Sequence, residues 1–294
     1  MLYIAGYSRC GSTILDMVLN AAQGAVSTGE LTYLLDDAAD PSRLCTCGKP
    51  FHSCGRYGGW TANRSTTEAA LVRRVESRAG LQALLSEQPR TEIDRVYAQY
   101  AQSLFAHIHD QTGAKVIVDS SKSAKDAAGR PLALARIAGL DVRVLHLTRD
   151  PRATIRSYLD RGSNWVLEGH RAPKTLESWR PILGWTLANR LAAKVGRALG
   201  PENYMHIRLE DILNDPEAGL ARVGDFAGLD LAPVAAAVLS GQPFAAGHNV
   251  GGNRTRLKPQ TIKLSSAQPQ TLPAGHDLCL RLLGGKVARQ FGYA

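Results

Sequence analysis

Apolar positions in this chain follow two periods in turn, and each change of period marks a strand giving way to a helix. Leu2-Tyr3-Ile4-Ala5 is a short apolar run that stops at Gly6, and from Ser12 to Ala22 the apolar residues recur at helical spacing. Lys115 to Asp119 (Lys-Val-Ile-Val-Asp) and Val142 to Leu147 (Val-Arg-Val-Leu-His-Leu) are β-rich runs, each followed by a helical segment. Asn203 to Arg208 is a further candidate strand that leads through Glu210 and Asp211 into a helix. Ser65 with Glu68 has capping-box spacing and predicts a helix carrying Ala69, Leu71, Val72, Val75 and Leu81; a second helix is predicted over 92–111. Strands joined by helices in this order predict an α/β fold, P-loop-like, with three layers (α/β/α), a central parallel sheet and binding sites beyond the carboxyl ends of the strands.

Two stretches break the alternation. Residues 40–65, rich in Pro, Gly, Cys, Ser and Arg, read as a long insertion, and residues 241–275 are irregular and placed to wrap a site. No repeat or interdomain linker divides the chain, so one domain over 1–294 is expected, with 44% hydrophobic residues to build its core. Thirty-five Lys and Arg against twenty-six Asp and Glu give a net charge of +9, which favours capture of an anionic ligand. No apolar run is long enough to span a membrane and no basic leader precedes an apolar stretch, so a soluble cytoplasmic protein is expected. The odd set of five cysteines argues against a disulfide scaffold.

Chemistry concentrates at two places. Gly6-Tyr7-Ser8-Arg9-Cys10-Gly11-Ser12-Thr13 follows a strand and opens a helix, the setting in which backbone N–H groups wrap an oxyanion. Ser12 stands where ATP-binding loops carry a lysine that reaches the β- and γ-phosphates, so the ligand expected here is phosphate-like but not a triphosphate. His146-Leu147-Thr148-Arg149-Asp150-Pro151-Arg152 closes a second strand and opens a helix, with Arg149 before it and Ser157 two turns along, and predicts a second anion site at that helix start. Two anion sites imply a ligand with two phosphate-bearing ends.

With these motifs the chain resembles the sulfotransferases that use 3′-phosphoadenosine 5′-phosphosulfate (PAPS), in a bacterial branch resembling tyrosylprotein and small-molecule enzymes. Gly6 to Thr13 is similar to the family's 5′-phosphosulfate loop, and Arg149 and Ser157 match the Arg and Ser of its 3′-phosphate motif. The resemblance is strong over 1–30 and 115–162, weaker at 203–216 and 248–258. It implies that Arg9, Cys10, Gly11, Ser12 and Thr13 bind the 5′-phosphosulfate and that Arg149 and Ser157 bind the 3′-phosphate; Cys10 departs from the usual Ser. It further implies Glu30, of the pair Gly29-Glu30, as general base and Lys122, of Asp119-Ser120-Ser121-Lys122, as a contact to the transferred group. Asn253 and Arg254, in the glycine-flanked segment His248 to Arg256, resemble the late loop that closes over the nucleotide.

The chemistry expected is in-line transfer of a sulfuryl group from PAPS to a hydroxyl acceptor, releasing adenosine 3′,5′-bisphosphate, with Arg9 and Lys122 stabilising charge and no metal required. Glu30 can instead cap a helix, and His170 and His248 are rival bases, whereas His146, inside an apolar strand, reads as structural. Cys45, Cys47, His52 and Cys54 offer four metal ligands, but the spacing lacks the usual pairs, so a reduced loop with no metal is expected. Trp165, Trp179 and Trp185 are candidates for the acceptor pocket or for core packing. Nothing separates a phenol, a sugar, a lipid or a peptide tyrosine as acceptor, and oligomeric state is not legible. The alternatives are a degenerate P-loop kinase, disfavoured by the missing lysine, and a basic nucleic-acid-binding module, disfavoured by the lack of a recognition motif.

Overall fold

A computed structural model describes residues 1–86, 91–123, 126–162, 178–264 and 270–293. Five strands form where short aliphatic runs lie between turns: β1 (Leu2–Ala5), β2 (Ala25–Ser27), β3 (Val116–Asp119), β4 (Arg143–Thr148) and β5 (Tyr204–Arg208). They make one sheet in the order β2-β3-β1-β4-β5. Every pairing is parallel, with Leu2 opposite Val118 on one side and Arg143 on the other, Ala25 opposite Val116, and Val144 opposite Tyr204.

All four residues of β1 are buried, because side chains alternate between two covered faces. Tyr3 and Ala5 join a core with Tyr97, Leu104 and Leu132, while Leu2 and Ile4 join another with Leu15, Val18, Leu220 and Val223. Burying each such leucine contributes roughly 1.5–3 kcal/mol. Helices on both faces of a parallel sheet give the three layers expected from the alternation. β1 sits at the point where the chain order reverses, with later strands on either side, and in such sheets the crevice for a ligand opens there.

Four of the five strands lie where the apolar runs put them; β2, three residues long, is too short to give a periodic signal. The helix predicted from Ser65 is two helices, Thr66–Glu76 and Arg78–Leu85, broken at Ser77. Ser77 is extended there, and its side chain accepts from the Gly80 N–H, so it caps the second helix instead of continuing the first. The 92–111 expectation corresponds to Glu92–Thr112, entered through a complete capping box of Thr91 and Asp94. Among the described residues no helix is long and apolar enough to cross a membrane.

Candidate active site

The turn after β1 is shaped by Gly6, whose φ of 137° is a conformation that favours glycine, and whose absent Cβ would meet the Leu147 carbonyl. The helix that follows, Ser12–Leu19, begins at Gly11 with no side chain capping it, so its N-terminal dipole faces the crevice. The helix after β4, Pro151–Arg161, begins differently. The Asp150 side chain accepts from the N–H groups of Arg152 (2.6 Å) and Ala153 (3.4 Å), so a carboxylate of the protein already occupies that terminus. The anion site expected at the second helix start thus meets a terminus already capped by Asp150, and the cationic groups gather beside the helix.

There the Arg9 side chain reaches across from the loop. Its Nη1 donates to Ser157 Oγ at 3.4 Å and its Nη2 to the Gly162 carbonyl at 2.8 Å, while Cζ lies 5.2 Å from the centre of the Tyr158 ring. Arg149 Nη1 donates in turn to the Arg9 carbonyl at 3.2 Å. Burial lowers the Arg9 guanidinium pKa, Tyr158 opposes this, and the nearby charges of Arg161 and Arg149 lower it further; the group remains a cation. Arg9, Arg149 and Ser157, which the sequence separates, thus meet at one end of the loop.

The other end holds a carboxylate. Gly29, at φ 74°, turns the chain after β2 so closely against Val250 that a Cβ would meet its backbone. The next residue, Glu30, forms an ion pair with Lys122 Nζ, and both side chains are largely buried. Burial alone would lower the Lys122 pKa, but the charge and hydrogen bond of Glu30 outweigh it and hold the ammonium above the usual lysine value. Lys122 has φ 69° and Arg9 φ 70°, the only two positive values among non-glycine residues described. Such backbone costs about 1–3 kcal/mol per residue and persists only where its surroundings enforce it.

What enforces it at Lys122 is a buried ionic frame. Arg130, wholly inaccessible to solvent, donates through Nε to Asp119 (2.7 Å) and through Nη1 to Glu76. Glu76 also accepts from Tyr97 (2.9 Å) and Thr32 (2.8 Å), and Asp119 accepts from the Ser121 N–H at 2.9 Å. The Lys122 N–H donates to the Ile4 carbonyl and the Ser123 N–H to that of Gly6, which binds the segment to β1 and the loop.

The late irregular segment closes this end. Val250 pairs with Gly29, its N–H donating to Thr28 and its carbonyl accepting from Glu30 at 2.8 Å. Gly252 follows beside Glu30 and Thr13, and the Asn253 N–H lies 3.4 Å from Thr13 Oγ1. Asn253 spends its own side chain on the Thr255 N–H, capping a short turn, and Arg254 is exposed. Beneath the loop, Asp16 is fully buried and bonded to Ser27 and Asn249; burial raises its pKa to about 6 against the lowering effect of those hydrogen bonds.

A profile described as "Sulfotransferase family" matches residues 2–233, most of the chain and every element of the crevice up to β5 and the helices after it. The chain belongs to the sulfotransferase family. Solved structures of other sulfotransferases share the fold. A sulfotransferase domain from the curacin biosynthetic pathway has TM-score 0.59 and 17% identity, covering 100% of this chain and 98% of that one. A domain from the Synechococcus PCC 7002 olefin synthase has TM-score 0.54 and 19% identity, covering 98% and 94%. The sulfotransferase STF9 of Mycobacterium avium has TM-score 0.52 and 12% identity, covering 100% and 77%. A search of curated proteins returned no match.

Of the sequence-predicted residues, Arg9 meets Ser157 and Arg149, Glu30 meets Lys122, and Asn253 lies beside Thr13, while Arg254 is exposed. His146 is a core residue, paired with Tyr204 (2.7 Å) and Asn189 (2.9 Å), and burial lowers its pKa to about 3. Trp185 is buried and donates to the Arg149 carbonyl at 3.1 Å, while Trp179 stacks on His276. His170 and Trp165 lie outside the described residues. Cys10 is buried and burial raises its thiol pKa, so it is a packing residue of the loop. His52 is exposed and stands apart from Cys45, Cys47 and Cys54, which gather instead with His248. Sequence reasoning missed Asp16, Glu76 and Arg130. A lone carboxylate among Leu15, Met17 and Val18 is a usable signal for the first; nothing local distinguishes Arg130 from a surface cation.

Proposed function

We propose that the protein transfers the sulfuryl group of PAPS to a hydroxyl acceptor and releases adenosine 3′,5′-bisphosphate. The observation that carries this reading is the convergence of Arg9, Arg149 and Ser157 at one end of an uncapped helix start whose other end adjoins Glu30 and Lys122. A donor with two anionic ends fits such a pair of stations, the 3′-phosphate against Arg149 and Ser157 and the phosphosulfate over Gly11, Ser12 and Thr13.

In this reading the acceptor oxygen attacks sulfur in line as the bond from sulfur to the bridging oxygen breaks. Glu30 takes the acceptor proton, and the Lys122 ammonium offsets charge growing on the departing phosphate, while the Arg9 guanidinium, bonded to Ser157, lies toward the 3′-phosphate station. The ion pair between Glu30 and Lys122 holds the carboxylate beside the ammonium before substrate arrives. Asn253 and Arg254 close the late segment over the nucleotide. The acceptor pocket is formed in part by residues 40–65, which lie next to that segment. Five free thiols fit the reducing cytoplasm.

Donor titration tests the reading. Adenosine 3′,5′-bisphosphate should bind the purified protein in calorimetry and bind much more weakly to Arg149→Ala, while ATP with magnesium should bind neither; equal affinity of wild type and Arg149→Ala would overturn the assignment.

A further inference from the structure

Away from Arg9, Arg149 and the pair Glu30 and Lys122, three sulfurs and one ring nitrogen are drawn together. The Sγ atoms of Cys45, Cys47 and Cys54 and a ring nitrogen of His248 all lie within 4.8 Å of one another. Cys47 Sγ is 3.8 Å from Cys54 Sγ, and His248 Nδ1 is 3.8 Å from Cys45 Sγ and 3.2 Å from Cys54 Sγ. With Zn–S near 2.3 Å and Zn–N near 2.0–2.1 Å, the edges of a zinc tetrahedron are about 3.5–3.8 Å; the two 3.8 Å separations match them, the 3.2 Å one is shorter, and small side-chain shifts bring all four atoms to one ion. Three thiolates and an imidazole are a soft donor set that favours zinc over the hard cations magnesium and calcium.

The scaffold brings the four ligands from two distant parts of the chain. Cys45 and Cys47 flank a tight turn in which the Gly48 N–H donates to the Cys45 carbonyl and the Cys45 N–H to that of Lys49. Cys54 follows the short helical turn Phe51–Ser53. His248 is held against them through its backbone: Tyr57 donates to its carbonyl at 2.7 Å, Thr46 donates to the Gly247 carbonyl, and the Asn249 N–H donates to Thr46 Oγ1 at 2.8 Å. The backbone therefore presents both ligand groups with its own hydrogen bonds already made.

We propose that Cys45, Cys47, Cys54 and His248 bind one structural Zn²⁺ that clamps the 40–65 insertion to the late segment. Four protein ligands leave no open position, so the ion does not act on substrate. Its effect passes along the chain from His248 to Val250, which bonds to Thr28 and Glu30, and to Gly252, which lies beside Glu30. Zinc thereby fixes the height of the strip above Glu30. The binding itself is independent of the sulfuryl-transfer reading; only the consequence for turnover rests on it.

The test uses the full chain, purified without chelator. Elemental analysis should find one zinc per chain. Replacement by Co²⁺ should give the intense visible bands and thiolate-to-metal charge transfer of a tetrahedral sulfur site, and a strong chelator should lower Tm by several degrees, because the ion binds the folded state preferentially. Cys54→Ser and His248→Ala should lose the metal, while His248→Cys and His52→Ala should keep it. If Cys54→Ser does not fold, the wild-type metal content and cobalt spectrum still decide. Negligible zinc after reconstitution, an octahedral cobalt spectrum, or a disulfide between Cys47 and Cys54 would each overturn the proposal. Loss of zinc with donor binding intact separates failure of the clamp from failure of the functional reading.

Discussion

The two ends of the loop after β1 are supported in opposite ways. At the Glu30 end a carboxylate and an ammonium are matched one to one, and behind them Arg130, Glu76 and Asp119 form a second ionic set sealed from water. At the Arg149 end, cations crowd one another and are held by main-chain carbonyls, a serine hydroxyl and the face of Tyr158. No described carboxylate pairs with Arg149. One side is thus built from ion pairs within the protein, the other from cations set against neutral groups.

The division is tested most severely at Glu30. Glu30→Gln should lower turnover by roughly 10²–10⁴-fold with product affinity unchanged, since only the proton acceptor is lost; a comparable loss of adenosine 3′,5′-bisphosphate affinity in calorimetry would erase the distinction between the two ends. Next in size is the frame. Arg130→Met leaves two buried carboxylates unpaired and should cost about 3–5 kcal/mol in urea unfolding, with Glu76→Gln costing less. If Arg130→Met were neutral, the rigidity of the Lys122 segment would need another source. Third, Arg149→Ala should weaken bisphosphate binding by about 10- to 100-fold and steepen no stability defect, the magnitude of a charge-assisted contact.

The smallest effect is a pH signature of opposite sign at the two ends. His146 and His206, on the strands beside Arg149, have folded pKa values lowered to about 3 and about 4 by burial. Unfolded, they titrate near 6.5, so their stability is present above that pH and is lost on acidification, on the order of 2 kcal/mol per histidine between pH 6.5 and 5. Asp16, under the Glu30 end, is raised to about 6, so its contribution is present below the unfolded value near 3.8 and is lost as pH rises through 6. Denaturant midpoints measured from pH 4 to 7 should therefore show a flatter acid limb in His146→Gln and a more favourable neutral limb in Asp16→Asn; parallel curves for both would contradict the assignment.

Much of this was readable from the chain because it is written in local patterns. Strands β1, β3, β4 and β5 are aliphatic runs, and the glycine turn with Arg9 and the pair Arg149 and Ser157 are short motifs. What escaped depends on partners far along the sequence or on an environment no residue type reveals. Arg130 opens its helix, a position where a cation is ordinarily solvated, and its carboxylate partners lie 11 and 54 residues earlier in the chain. His52 is nearer in sequence to the three cysteines, yet the histidine that joins them is 194 residues beyond Cys54. Pro151 correctly marks a helix start, but whether Asp150 or a ligand fills that start is decided by a side-chain rotamer.

The pairing of Val250 with Thr28 and Glu30 also orders events in time. Ser27 and Asn249 touch although 222 residues separate them, so the Glu30 end cannot assemble until the segment around Asn249 has left the ribosome. Contacts of such long separation form late, after local helices and the early strands. A nascent chain thus displays the glycine turn and its helix long before the segment that closes over Glu30 exists, and the Glu30 end stays open until that segment arrives.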